Sequence, residues 1–205
     1  MSAEFVPMTT FFQERMERGN VRVEPIEVSE SEAKWSQLRA SVKGGLESLA
    51  AVNAGRYVRL VVGGEIMMSD TQMEQRTNRY FVRNAHGDVL IAGLGIGMIL
   101  VPLAKSGKVK SIVVVEKSED VIALVEPRMP DEVRAITKVV HADVMTWTPP
   151  RGALFDWIYF DIWPTVSGDN LRDMKALHRR FARRVKADGR GRGRIQSWCR
   201  KLCES

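Results

Sequence analysis

The chain of 205 residues is 44% hydrophobic and 27% charged and carries a net charge of +6, the composition of a folded globular protein and not of a disordered or fibrous one. A chain of this length buries about 70% of the surface its unfolded form exposes, enough for a core without disulfides or metal. Collagen, a coiled coil and a disulfide-stapled miniprotein are excluded.

At the amino end, Met1 to Asn20 lacks the basic-then-apolar order of a secretory signal. Asn20 to Glu30 alternates apolar and polar residues around Pro25, which predicts an edge strand or two short ones. Ser31 to Leu49 carries Ala33, Leu38, Val42, Leu46 and Leu49 at mostly helical spacing, interrupted at Gly44 and Gly45. Tyr57 to Val62 and Glu65 to Ser69 flank Gly63-Gly64, a tight hairpin turn. Met67, Met68 and Met73 read as hairpin packing. Thr71 followed by Glu74 has the spacing of a capping box and starts a helix that runs to about Asn84.

From Asp88 short apolar runs alternate with helical segments, the pattern of a parallel sheet covered on both faces. Strands are expected at Asp88 to Ala92, Ser111 to Glu116, Lys138 to His141, Phe155 to Asp161 and Arg194 to Trp198. Helices are expected at Met98 to Lys105, Ser118 to Val125 and Asn170 to Lys186, the last capped by Asp169 or Asn170 and packed through Leu171, Met174, Leu177, Phe181 and Val185. The fold class is therefore α/β, a Rossmann-like doubly wound, mostly parallel sheet. Residues 1–84 form a small α+β appendage of helix and β-hairpin, and residues 85–205 the Rossmann-like domain with its basic carboxyl-terminal segment. The longest apolar run, Val89 to Ala104, would make a helix of roughly 24 Å and holds three glycines and a proline, so no membrane span is read there.

Charge is unevenly placed. Twelve basic and three acidic residues follow Leu171, leaving the first 171 residues at net −3. Two uses fit this stripe: a solvated helix face with a basic tail, or nucleic-acid phosphate contact through Arg179 to Arg194. Cys199 and Cys203 have no second pair, which fits reduced thiols, a cytoplasmic location and no zinc site.

The run VLIAGLGIG sets Gly93, Gly95 and Gly97 between an apolar strand and a helix, where small residues let backbone N–H groups approach a ligand. A dinucleotide fingerprint needs glycine where Met98 stands. About twenty residues on, SIVVVE ends in Glu116, placed to accept two hydrogen bonds from a ribose diol, or else to begin the next helix as an exposed cap. VVHADV puts Asp143 at the next strand end, for an adenine amine or as a plain turn residue. FDWIYFDIWP puts Asp161, Trp163 and Pro164 at the one after. Ligands of open parallel sheets bind outside these carboxyl ends.

In order and spacing these segments resemble the class I S-adenosylmethionine-dependent methyltransferase superfamily over roughly Asp88 to Lys186. The front segment YVRLVVGGEIMMSDTQMEQRTNRYF is similar to the spermidine synthase branch. There the hairpin carries a glutamine and the helix an Asp-Glu pair, where this chain has Met67, Gln72 and Met73. Trp163 and Pro164 stand where that branch has a second aspartate. The resemblance implies S-adenosylmethionine as cofactor, bound by Gly93, Gly95, Gly97, Glu116 and Asp143. Asp161 would orient or deprotonate the acceptor, beside a wall of Trp163 and Tyr159, although Tyr159 also suits the core. The superfamily's sheet usually ends in an antiparallel pair, for which 189–205 is too short. A sheet truncated after its fifth strand follows, with that strand an edge, or covered by the front hairpin or by a second copy in a homodimer. The implied activity is methyl transfer to an unidentified acceptor; the alternatives are aminopropyl transfer from decarboxylated S-adenosylmethionine and a non-catalytic nucleoside-binding scaffold.

Overall fold

Two sheets make up the strands of the computed structural model, which describes residues 4–43, 51–187 and 194–204. Strands β1 (Met16–Arg18), β2 (Val21–Val28), β3 (Gly55–Val62) and β4 (Glu65–Ser69) form an antiparallel sheet in that order. Gly63 and Gly64, at φ 61° and 91°, make the expected tight turn between β3 and β4. The segment read as an edge strand is instead the interior strand β2, paired with β1 over Val21 to Val23 and with β3 along its whole length. Pro25 is tolerated because its partner Val58 turns its own N–H and C=O toward Asp70. The missing N–H of Pro25 therefore points to the side of β2 that β1 no longer covers.

Helix α1 (Glu30–Lys43) follows β2. The expected stripe does not pack as one: Ala33 and Ala40 are buried, whereas Leu38 and Val42 are 52% and 78% exposed. Five residues from Ala33 to Leu38 rotate the helix by roughly 140°, taking Leu38 off the Ala33 face, while seven residues return Ala40 to it. Gly44, Gly45, Leu46 and Leu49 lie outside the described residues. The carboxylate of Asp70 ties the layer together, accepting the N–H of Met8 at 2.8 Å and of Val58 at 2.6 Å.

Helix α2 (Gln72–Asn84) starts after Thr71, but no capping box forms. The Thr71 hydroxyl is paired with Ser69 at 3.0 Å, and Glu74 lies on the buried face with Asn78 and Phe81. A buried carboxyl cannot also reach back to the helix start.

The second sheet comprises β5 (Gly87–Ala92), β6 (Val109–Glu116), β7 (Thr137–His141), β8 (Trp157–Phe160) and β9 (Ile195–Ser197), in the order β7-β6-β5-β8-β9 with every pair parallel. The order reverses at β5, which opens a crevice at the carboxyl ends of β5 and its neighbours. Between the strands run α3 (Leu100–Lys105), α4 (Glu119–Val125), α5 (Asp131–Arg134) and α6 (Asn170–Phe181), with α7 (Arg200–Cys203) after β9.

On one face of this sheet Val89, Ile91 and Val114 belong to a core that also takes in Val23, Val58 and Leu60 of the antiparallel sheet, Phe81 of α2, Leu103 of α3 and Val121 of α4. The other face packs through Leu90 and Phe160 against Leu177 and Phe181 of α6. The α6 stripe therefore buries as expected, although Asp169 makes no side-chain cap bond and Asn170 donates instead to the Thr165 carbonyl. Among the described residues β9 is an edge, and the front hairpin belongs to the separate antiparallel sheet. No helix among them is long and apolar enough to cross a membrane.

Candidate functional site

A cavity of about 550 Å³ opens where the glycine turn after β5, the ends of β6 and β8 and the β3–β4 hairpin converge, within the size range of small-molecule sites. The turn is held by Gly93 N–H on the Val115 carbonyl at 2.9 Å. A side chain on Gly93 would strike the Asp161 carbonyl, so its absence lets the β5 and β8 ends close together. Gly93 and Gly95 line the cavity; Gly97 does not. A side chain there would meet the Met129 thioether, so Gly97 serves packing behind the turn, which corrects its reading as a ligand contact. Helix α3 begins only at Leu100, and Met98 and Ile99 form cavity wall ahead of it.

Glu116, the last residue of β6, faces the cavity. One carboxylate oxygen accepts the N–H of Leu94 in the glycine turn and the other that of Ser118, both at 2.8 Å. The cap of α4 is Ser118, whose hydroxyl accepts from Val121, so Glu116 is not the helix cap. Each oxygen of Glu116 keeps a lone pair for a ligand. Asp143 also lines the cavity. The Met145 N–H at 2.8 Å and the Lys117 ammonium at 3.1 Å hold its carboxyl below the usual range, fixing a carboxylate there at neutral pH.

Asp161, directly after β8, donates its N–H to Ala92 and lines the cavity with Trp163. Facing this wall is Glu74 of α2, a residue that sequence reasoning assigned to a capping box. Burial, reinforced by the Asp161 charge, pushes the Glu74 carboxyl up to about 8, and burial raises Asp161 to about 7. The two titrate as a pair. The signal was present in the sequence: Glu74, Asn78 and Phe81 recur at the spacing of one helix face, and that face is buried.

Tyr159 does not form the expected wall. It shares a strand face with Asp161 but sits deeper, 3% exposed, stacked on Phe81 with ring centroids 4.1 Å apart and its hydroxyl donating to Asn78 at 2.9 Å. Two cavity residues escaped sequence reasoning for want of a local signal. Trp198 reaches the wall because its indole N–H donates to Thr77 of α2 at 3.0 Å, and Met68 does so from β4. Met67 and Met68 line the cavity as well as packing the hairpin, which widens the packing role expected of them. The Met68 sulfur accepts the Ile96 N–H at 3.3 Å.

Part of the basic stripe is internally engaged. Arg180 donates to the Val144 and Met145 carbonyls, Arg184 to Pro150, and Lys186 pairs with Asp88 and Asp156. Residues 188–193 of the stripe lie outside the described residues.

No protein-family model matches the chain, and no curated protein matches its sequence. Among solved structures, a spermidine synthase from Thermotoga maritima matches 87% of this chain and 55% of its own, at TM-score 0.50 and 15% identity. The glycopeptide N-methyltransferase MtfA complexed with S-adenosyl-L-methionine matches 60% and 48%, at TM-score 0.45 and 19% identity. The chain thus spans about half the length of these proteins. It has a class I methyltransferase fold of the spermidine-synthase-like kind. The 87% coverage exceeds what residues 85–205 supply, so the likeness extends into residues 1–84.

Proposed function

We propose that the chain is an S-adenosylmethionine-dependent methyltransferase. The observation that carries this reading is Glu116: its carboxylate is clamped by two backbone N–H groups, one from the glycine turn, with the remaining lone pairs directed to a cavity at the carboxyl ends of parallel strands. A carboxylate held this way accepts from both hydroxyls of a ribose. The fit extends to the base, since the Asp143 carboxylate can accept from an adenine amine, with Val144 and Met145 supplying apolar wall. Gly95 also lines the cavity, with the Met68 thioether resting over it where a side chain would otherwise stand.

The cofactor, when bound, supplies an electrophilic methyl on a sulfonium. What remains for the protein is alignment and proton removal. Asp161 is the group on the wall able to orient an acceptor and take its proton, and Trp163 gives that acceptor an apolar face. Titration calorimetry with S-adenosylhomocysteine tests the reading: micromolar binding supports it, and no heat at high micromolar ligand ends it.

The front sheet favours one competing reading, aminopropyl transfer, through the likeness in fold described above. It predicts tighter binding of decarboxylated S-adenosylmethionine than of the ordinary form; the methyltransferase reading predicts the reverse.

A further inference from the structure

We propose that Glu74 is a specificity-determining residue of the acceptor site, forming with Asp161 a cleft that takes the single ammonium group of an apolar monoamine. This rests on the methyltransferase reading above and names its acceptor class.

The argument begins from a missing partner. Glu74 is 7% exposed, lines the cavity, and its carboxyl has no hydrogen bond or ion pair among the described residues. The same holds for the Asp161 side chain. The groups around them offer no cation: Tyr159 spends its proton on Asn78, Thr77 takes the indole N–H of Trp198, and burial pushes the Cys199 thiol up to about 12, leaving it neutral. Lys117, the cation on the cavity wall, is held by Asp143. Two buried carboxyls facing one space without a counter-ion are costly to ionise, and a ligand cation would offset that cost.

The rest of the wall sets the acceptor's body. Leu60, Val62, Met67, Ile99, Trp163 and Trp198 are apolar, and the indole faces also accommodate a cation. Glu116 and Asp143 are committed to the nucleoside side, so a diamine finds no second anionic subsite. A neutral alcohol brings no charge with which either carboxyl could ionise.

The chemistry balances. The bound ammonium gives one proton to the Asp161 carboxylate, exposing the nitrogen lone pair. The nitrogen then bonds to the sulfonium methyl carbon as the carbon–sulfur bond breaks, its electron pair passing to sulfur to leave a thioether. The product is an N-methylammonium, and Asp161 later returns its proton to water.

The test uses the full chain saturated with S-adenosylhomocysteine, titrated with two amine and alcohol pairs, 3-phenylpropylamine with 3-phenylpropanol and hexylamine with hexanol, and with 1,5-diaminopentane. At least one monoamine is expected to bind tenfold or more tightly than its alcohol and than the diamine. Glu74→Gln is expected to remove at least tenfold of that affinity while S-adenosylhomocysteine binding persists. Monoamines no better than alcohols, a preferred diamine, or unchanged amine binding in Glu74→Gln would overturn the proposal. So would joint loss of amine and S-adenosylhomocysteine in that variant, which would assign the pair to the cofactor's own ammonium. Should Glu74→Gln fail to fold by thermal unfolding, Asp161→Asn gives the same readout, and the wild-type amine-to-alcohol ratio decides alone. Absence of S-adenosylhomocysteine binding by the wild type is the separate failure of the methyltransferase reading.

Discussion

The thioether of Met68 lies directly over Gly95, in the space a Cβ at that glycine would occupy, and its sulfur accepts the neighbouring Ile96 N–H at 3.3 Å. A side chain from the front sheet thus rests on the turn where the nucleoside is proposed to approach. Ligand contact with that backbone has to displace it. Met68→Ala is expected to raise S-adenosylhomocysteine affinity threefold to tenfold, the equivalent of a net hydrogen bond of about 0.5–1.5 kcal/mol given up on binding. Gly95→Val should act oppositely, because φ is 53° there and the new side chain would collide with the Met68 thioether and crowd the turn further. Calorimetry on both variants checks the pair; equal affinities in Met68→Ala and wild type would show that Met68 stands clear of the ligand.

The Glu116 clamp yields a second expectation. Glu116→Gln keeps the size of the side chain but removes the charge and turns one oxygen into a donor group, which cannot accept from both a backbone N–H and a ribose hydroxyl. Hydrogen bonds to charged groups contribute about 1.5–3 kcal/mol, so S-adenosylhomocysteine affinity should fall by about 10-fold to 150-fold. The measurement to pair with it is adenine binding, which engages Asp143 and should change little. Parallel loss of both would mean the glycine turn had collapsed.

The route from sequence to these residues was uneven for physical reasons. Glu116, Asp143 and Asp161 are legible because each stands at the end of a parallel strand or within two residues of it, and chain order alone brings such ends to one rim. Strands β5, β6 and β8 are recognisable from nearly continuous apolar runs, whereas β7 offers only Val139 and Val140 and β9, with the sequence IQS, carries little such signal. Glu74 was misread because a carboxylate three residues after threonine fits two uses, and only the burial of the Asn78 and Phe81 face decides between them. Gly97 is expected at the ligand from its place in the glycine run, and Tyr159 from the strand face it shares with Asp161, a face that equally suits the core, where Tyr159 lies. Their actual partners, Met129 and Asn78, come from distant segments. Met68 and Trp198 are long-range neighbours of the site, and nothing local to either marks it.

Glu74 also predicts a pH effect on stability. Its carboxyl ionises at about 8 in the folded chain, against an ordinary value of 4.5. A group shifted upward contributes fully below the unfolded value and loses that contribution as pH rises through the folded one. Asp161, raised to about 7, acts in the same direction. The groups facing the pair, Tyr159 and Cys199, are themselves shifted upward and stay neutral across this window. Thermal unfolding of the wild type should therefore lose stability from about pH 5 to pH 9, and Glu74→Gln should lose less, overtaking the wild type at the alkaline end. Parallel curves for the two proteins would contradict the burial of an ionisable group at this position.

At the opposite end of the sheet, Lys186 bridges Asp88 at 2.5 Å and Asp156 at 2.8 Å, joining the segment after α6 to the starts of β5 and β8. The hydrogen bonds that Lys186 donates to Asp156 and Asp88 raise the lysine, and its ammonium lowers Asp88 and helps outweigh the burial that would raise Asp156. This residue belongs to the basic stripe by sequence but to the scaffold by contact. The lysine side chain is 38% exposed and that of Asp88 37%, so solvent screening limits the bridge to about 1 kcal/mol. Lys186→Met should lower the unfolding midpoint by about 2–4 °C and leave two carboxylates facing each other, so added salt should recover part of the loss by screening them. Because both aspartates are lowered, the difference between variant and wild type should be present at neutral pH and vanish as acid protonates them. A stripe used chiefly for phosphate contact makes a different prediction for the same variant: unchanged stability and a shallower salt dependence of nucleic-acid binding.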